Sequence, residues 1–563
     1  MNRPRSTTPG IVLLTLLAWL AGVSAMAQEP PDPPGGWELP SPPEPPTAPT
    51  TPTTPGTPEP PQGPANPPAG GGSASGGGAP RGVATPANPV SCGGVAALRA
   101  SEVEALLFAA AETLDGPLAV AVADRAGRPL GLFRRNTPAA LDDRAVGLAR
   151  TGAFFSNDQA PLSSRTVRFV SGIHFPPGIP NTPNAALYGI ENTNRGCDLA
   201  VTWNPGRALP PATSVVVPGP CEPGDPTGCG TGPVTGKADR FDSDPQSVDP
   251  GGLPIFRGTT LVGGIGVAGP GPARAEFTAL AAILTVAGLS PTPDPLPAPG
   301  VVFIDGIRLP FVRQVDRPMG TAPGRRNDGT IVLGPFHGGC APAGYLVGPL
   351  AGSRLSTAEV DRIVQQARQT AARTRAVIRL PLGQRSRMVI AVGDVDGTIL
   401  ALFRMEDATV FSVDVAVAKA RNVVWFSGLG GVDLPGVPAG TAITNRTLGF
   451  GAQPLFPPGI DGTGPGPFFS LFERDLQNPC SQGSQATNPR QNGIVFFPGA
   501  IPLDRGGQIV GGLGISGDGV EQDDYVAFHG AAGFRPASDR WADQVRVQGV
   551  RLPFLKFPRN PEQ

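Results

Sequence analysis

Leu261-Val-Gly-Gly-Ile-Gly-Val-Ala-Gly269 and Ile509-Val-Gly-Gly-Leu-Gly-Ile-Ser-Gly517 are two renderings of one pattern within a single chain. Each is an aliphatic, β-prone run interrupted by glycines. Glycine inside a strand weakens it unless another backbone must come close, so tight packing or a turn is preferred here over a phosphate-binding loop. The pattern is not isolated. Downstream, Gly306-Ile-Arg-Leu-Pro-Phe311 matches Gly549-Val-Arg-Leu-Pro-Phe554. Upstream, Arg165-Thr166, Phe169 and Phe175-Pro-Pro-Gly-Ile179 match Arg446-Thr447, Phe450 and Phe456-Pro-Pro-Gly-Ile460. Further back, Asp143, Arg150 and Phe155-Ser156 match Asp414, Arg421 and Phe426-Ser427. Val120-Ala-Val-Ala-Asp124, leading through Gly127 to Leu132-Phe-Arg134, matches Ile390-Ala-Val-Gly-Asp394, leading through Gly397 to Leu402-Phe-Arg404. Ser101-Glu-Val-Glu-Ala aligns with Thr357-Ala-Glu-Val-Asp. Chance does not preserve such an order, and the reading is a duplication with copy one at 92–320 and copy two at 321–563.

Each copy reads as helix, strand, tight turn, strand, helix, a long Pro/Gly-rich excursion, then strand, turn and helix. The Asp-x-x-Gly turns at Asp124 and Asp394 are hairpin turns, in which Asp bonds nearby backbone and Gly accepts positive φ. Connections this short force antiparallel neighbours. The expected fold class is therefore α/β of the α+β kind, an antiparallel sheet flanked by helices, in two tandem copies.

Ahead of the copies, Arg3 and Arg5 precede the apolar run from Ile11 to Leu20, and Ala25-Met-Ala27 precedes Gln28. That is the layout of a signal peptide, 1–27, and the run is shorter than a membrane span needs. An exported, secreted or periplasmic protein is expected, with no membrane span once the signal is removed. Residues 28–91 are Pro/Gly-rich with almost nothing to bury, and a disordered linker is expected there. The chain has 44 basic against 45 acidic residues, and 16% of residues are charged. No electrostatic field of that kind favours nucleic acid.

Six cysteines in an exported chain suggest disulfides. The duplication pairs their surroundings: Cys92 and Cys197 in copy one stand where Cys340 and Cys480 stand in copy two, while Cys221 and Cys229 lie in an insertion. The expected bridges are Cys92–Cys197, Cys340–Cys480 and Cys221–Cys229. A metal site is the competing reading, with no paired Cys-x-x-Cys spacing behind it.

Catalytic motifs are absent from the sequence: no Gly-x-Ser-x-Gly, no His-Glu-x-x-His, no Walker loop. The three histidines, His174, His337 and His529, face Leu455, Pro89 and Ala281 in the repeat alignment. A duplicated histidine site is thereby excluded; a site in one copy stays open, against the plainer reading of surface or structural histidines. Asp518, Glu521 and Asp523 are a candidate calcium cluster, against the plainer reading of acids at a helix start. Arg404, Lys419 and Arg421 form a candidate basic lip for carboxylates such as tetrapyrrole propionates, against solvated or capping charge. Lys419 becomes Leu148 in copy one, which makes copy two the better binder.

Leu355-Ser-Thr-Ala-Glu-Val, Ala401-Leu-Phe-Arg-Met405, Ser412-Val-Asp-Val-Ala-Val-Ala-Lys-Ala-Arg421 and Val510-Gly-Gly-Leu-Gly-Ile-Ser-Gly517 with Glu521-Gln-Asp523 resemble the GlcG/HbpS family. Copy one resembles it more faintly, and Pro/Gly-rich insertions at about 157–190 and 428–500 replace what is a compact connection in the family. The resemblance implies an antiparallel sheet flanked by helices, frequent oligomerisation, and haem or corrinoid binding in some members. It implies contacts, not catalysis, for Arg404, Lys419 and Arg421. The expected function is an exported, non-catalytic haem or tetrapyrrole binder, forming a homo-oligomer or pairing its two copies within the chain. The alternatives are a ligand-free structural or interaction module of the cell envelope, and a haem-degrading enzyme.

Overall fold

The computed structural model describes residues 91–190, 249–296 and 302–563, apart from short gaps at 93, 139, 305–306, 334–337, 429, 478–480, 487 and 489. The expected signal peptide, nearly all of the expected linker, Cys197, Cys221, Cys229, His337 and Cys480 lie outside the described residues. Cys92 is described in its backbone alone. Cys340 is disulfide-bonded; the pairings expected above each involve a residue outside the described set.

The chain order is β1 (Ser91–Cys92), β2 (Val95–Ala96), α1 (Ala100–Thr113), β3 (Leu118–Asp124), β4 (Pro129–Arg135), α2 (Ala140–Phe155), α3 (Ser164–Phe169), β5 (Gly252–Arg257), β6 (Thr260–Ala268) and α4 (Pro272–Thr285). It continues with β7 (Val302–Ile304), β8 (Ile307–Leu309), β9 (Thr330–Leu333), β10 (Gly344–Val347), α5 (Thr357–Ala371), β11 (Val389–Gly393), β12 (Ile399–Arg404) and α6 (Ser412–Gly428). It ends with α7 (Asn445–Gly451), α8 (Phe469–Gln477), β13 (Ala500–Arg505), β14 (Gln508–Ser516), α9 (Val520–Gly530), β15 (Arg546–Val547) and β16 (Val550–Arg551). Two five-stranded antiparallel sheets result, in the orders β5-β6-β3-β4-β9 and β13-β14-β11-β12-β10. Their registers coincide: Val120 faces Val267 as Ile390 faces Ile515. Their bulges coincide as well, at Val122/Ala123 and Val392/Gly393, and at Ile255/Phe256 and Leu503/Asp504.

The outer strand of each sheet comes from the same connector. β9 pairs with β4, and β10 pairs with β12. The N-terminal sheet therefore extends past residue 320, because its last strand follows its domain in sequence while that of the C-terminal sheet precedes its own. The first helices also correct the alignment by one residue. Val103 and Val360 are the buried positions that correspond, and Ser356 caps α5 by accepting from Glu359 N while Glu359 accepts from Ser356 N.

In the N-terminal half, α1 and α4 cover one face of the sheet and α2 covers the other. The alternation in β3 follows from this. Val120 and Val122 enter the core with α1 and α4, whereas Ala119, Ala121 and Ala123 face α2. Small residues are needed there because α2 lies directly on the glycines of β6. A Cβ at Gly264 would stand 2.1 Å from Ala149 O, and one at Gly266 would stand 2.0 Å from Ala145 O. In the C-terminal half, Gly512 and Gly514 make the same contact with Ala420 O and Ala416 O of α6, each at 2.1 Å. Backbone approach to a helix is thus what the glycine-rich runs serve.

The two halves share one buried apolar seam, in which Phe154, Phe155, Tyr188 and Ile190 join the core of the C-terminal half. Phe155 stacks on Phe411 at 4.2 Å and Tyr188 on Phe472 at 5.0 Å. Buried charge crosses the seam too: Arg379 donates to Asp518, to Asp407 and to Gln159 Oε1. Burial alone would pull the Arg379 guanidinium down, but Asp518 and Asp407 hold it above its ordinary range. The Phe-Pro-Pro-Gly loops meet at the same seam, where His174 Nε2 lies 2.7 Å from Asp461 Oδ1 and Asp461 N donates to Asn181 Oδ1. The two halves pair within one chain by this route.

Gly514→Ala tests the helix contact. The added methyl would press on Ala416 O, and urea unfolding of the full chain should show a loss of about 1–3 kcal/mol. Gly464, which has open space at its Cβ, serves as the control, and Gly464→Ala should stay within about 0.5 kcal/mol of wild type.

Candidate functional site

The expected basic lip is not an open one. Arg404, at the end of β12, is 3% exposed and donates to Pro342 O at 3.0 Å and to Ala408 O. Arg421 donates from Nε to Gly397 O at 2.8 Å and from Nη1 to Asn492 Oδ1 at 3.0 Å. Arg150 makes the same 2.8 Å bond to Gly127 O in the N-terminal half, which identifies both arginines as clamps on the Asp-x-x-Gly turns. Burial pushes Arg404 and Arg421 down to about 9. Lys419 is fully buried. The physical reason is that α6 has no solvated face. One side lies on β14 and the other is covered by the chain between Asp433 and Phe497, so nearly every residue from Ser412 to Ser427 is buried.

What the structure does bring together is a charge cluster where α6 meets the start of α9. Lys419 Nζ donates to Ile515 O at 2.8 Å and to Asp523 Oδ2 at 3.1 Å, and it lies 4.9 Å from the centre of the Phe497 ring. Asp523 Oδ1 is buried without a hydrogen-bond partner. Burial lowers the Lys419 amine and pushes Asp523 up to about 7, while each partner favours the charged form of the other. The pair holds a proton out of water between an amine and a carboxyl group.

The neighbouring acid has a different role, which the N-terminal half reveals. Asp524 Oδ2 accepts from Arg446 Nε and from Lys556 N. Glu276 accepts from Arg165 Nε, Arg313 N and Gln314 N in the same way. Both acids anchor the segment after Arg-Leu-Pro-Phe, and both helices α3 and α7 meet that segment again: Thr166 donates to Pro310 O, and Thr447 to Pro553 O. This is scaffolding. At the positions of Lys419 and Asp523, by contrast, the N-terminal half has Leu148 and Ala275, both buried. One scaffold thus holds an apolar pair in one half and a charged pair in the other.

The calcium cluster does not form. Asp518 accepts from Arg379 Nε and Arg387 N, Glu521 pairs with Lys556, and Asp523 holds Lys419. Among the described residues no group of His, Cys, Asp or Glu is placed to hold a metal ion.

The outer face of α9 carries a cluster that the sequence reading passed over. Tyr525, Phe528 and His529 share that face, with ring centres of Tyr525 and Phe528 at 4.4 Å and 5.4 Å from that of His529. Phe557 of the C-terminal tail packs on Tyr525 and Phe528, and the Arg535 guanidinium lies 3.7 Å from the centre of Phe528. The i, i+3, i+4 spacing of three ring-bearing residues was the available signal. It was masked because each histidine was weighed singly.

Two outcomes follow. Lys419→Leu alone leaves Asp523 buried without its cation and should cost about 3–5 kcal/mol, whereas Lys419→Leu with Asp523→Ala should return to within about 1 kcal/mol of wild type. Urea unfolding of the two variants and of Asp523→Ala checks this. Asp414, half-buried with its Oδ1 out of solvent and unbonded, is pushed up to about 7 by burial against the pull of Arg150. A carboxyl group whose folded value is raised costs stability as pH climbs from its unfolded value near 4 through 7. Wild type should lose about 1–2 kcal/mol between pH 5 and pH 8 that Asp414→Asn does not lose, measured by thermal unfolding across that range.

In comparison with known proteins, a family model matches within the C-terminal half. No curated protein matches the chain. Among solved structures, the chain is similar to one described as the crystal structure of a PduOC:Heme complex, with 25% identity over 32% of this chain and 94% of that one, at a TM-score of 0.22. It is also similar to Klebsiella pneumoniae protein ORFY, with 21% identity over 31% of this chain and 86% of that one, at a TM-score of 0.21. Residues 355–532, from just before α5 to just past α9, match the model of the HbpS-like family, described as haem degrading protein HbpS-like.

Proposed function

We propose that the chain is an exported haem- or tetrapyrrole-binding protein whose C-terminal half carries the ligand, and whose N-terminal half is a second, ligand-free copy of the same domain. The family match over residues 355–532 carries this reading. The identical strand order and registers of the two sheets support the second copy. The export half of the proposal rests on the signal-like residues 1–27.

The contacts first expected from Arg404, Lys419 and Arg421 do not fit a propionate-bearing ligand as they stand, since their head groups are buried against the chain's own carbonyls and carboxylates. Their part in binding is to hold β12, the Asp394 turn and the α6–α9 junction in place. Bound haem would supply an iron centre and a chromophore; the protein's own residues supply a preformed surface on a rigid helix. A second reading, a structural or interaction module without ligand, draws on the same consumption of the basic head groups.

Titrating haemin into the full mature chain separates the two. A saturable shift of the Soret band at one haem per chain is the expected result, and a spectrum identical to free haemin at all ratios would leave the interaction module. N-terminal sequencing of the exported protein should begin at Gln28.

A further inference from the structure

The haem-binding reading leaves open which residues meet the ligand, and the surface of α9 supplies an answer that depends on that reading. We propose that His529 ligates the iron of a tetrapyrrole seated on the aromatic face formed by Tyr525, Phe528 and Phe557, with Arg535 and Arg373 receiving its carboxylates.

Of the three histidines, His529 alone falls within residues 355–532. His174 is buried and spends its Nε2 on Asp461. His529 is half-buried at the end of α9, and among the described residues its surroundings act on it through burial and charge, with no hydrogen bond to either ring nitrogen. Iron binds a ring nitrogen through its lone pair, which a hydrogen bond such as that of His174 to Asp461 would occupy.

The rest of the face has the matching chemistry. Phe557 remains 42% exposed although it packs on Tyr525 at 5.6 Å and Phe528 at 5.3 Å, so the cluster presents open ring surface to a flat apolar ligand. Arg535 lies over Phe528, and Arg373 reaches the same region through Glu562, to which Tyr525 also donates at 3.0 Å. Guanidinium groups beside aromatic rings suit a ligand that is planar in its middle and anionic at its rim. The N-terminal half keeps one ring, Phe277 with the Arg317 guanidinium 5.5 Å from its centre, where Tyr525 stands, but has Leu280 and Ala281 where Phe528 and His529 stand.

The test uses the full chain with haemin as probe. Wild type and His174→Ala should give the same Soret maximum and Kd. His529→Ala should weaken binding about tenfold or more and shift the ferric spectrum away from that of a nitrogen-ligated iron. His529→Gly should regain the wild-type spectrum when imidazole is added, which a merely misfolded variant would not do. If His529→Ala keeps the wild-type spectrum and Kd, the ligand assignment is overturned while the haem reading stands. If wild type itself shows no Soret shift, the haem reading falls and takes the assignment with it.

Discussion

Everything in this molecule is arranged around the direct seating of a helix backbone on a strand backbone. The carbonyls of Ala416 and Ala420 meet Gly514 and Gly512, and those of Ala145 and Ala149 meet Gly266 and Gly264. No side chain separates the layers, so α2 and α6 are drawn in far enough that their opposite sides become interior surface. Once that has happened, whatever these helices carry on the far side must be matched by protein instead of water. The apolar members stack across the seam, as Phe155 does on Phe411. The charged members find carbonyls, as Arg150 and Arg421 do at their turns.

This explains which parts could be read from the residues and which could not. The antiparallel sheets were legible because Asp124 to Gly127 and Asp394 to Gly397 leave room only for hairpins, and because a repeated order of motifs reports shared geometry. The basic lip was misread for a general reason: charge on a helix is normally the solvated face, and nothing in Lys419-Ala-Arg421 announces that the far side of α6 is covered. The covering comes from the long Pro/Gly-rich excursions, whose contacts lie far apart in sequence. Asn492, which takes Arg421, and Phe497, which lies under Lys419, both belong to the excursion of the C-terminal half. The α9 cluster was hidden differently. Tyr525, Phe528 and His529 are adjacent on the helix, but Phe557 and Arg535 arrive from the tail and from the turn after α9.

The two halves also serve as each other's control. Where both keep a feature, such as Arg165 with Glu276 and Arg446 with Asp524, the feature belongs to the scaffold. Where they part, as at Leu148 with Ala275 against Lys419 with Asp523, the same scaffold accommodates two different buried pairs. A buried ion pair is rarely the more stable solution. It stands in the half that matches the HbpS-like family, at positions that the N-terminal half fills with Leu148 and Ala275.

The connector bears on how such a chain can be divided. Strands β9 and β10 leave one short linking segment for opposite destinations, so the boundary between the halves is not where the repeated motifs stop. A division after Arg-Leu-Pro-Phe in the first half would strip the N-terminal sheet of its rim and leave β4 with an unpaired edge, the kind of surface that templates aggregation. A division between Leu333 and Gly344 would leave both sheets whole. Modularity in this protein is therefore a property of hydrogen-bonded edges and not of sequence similarity.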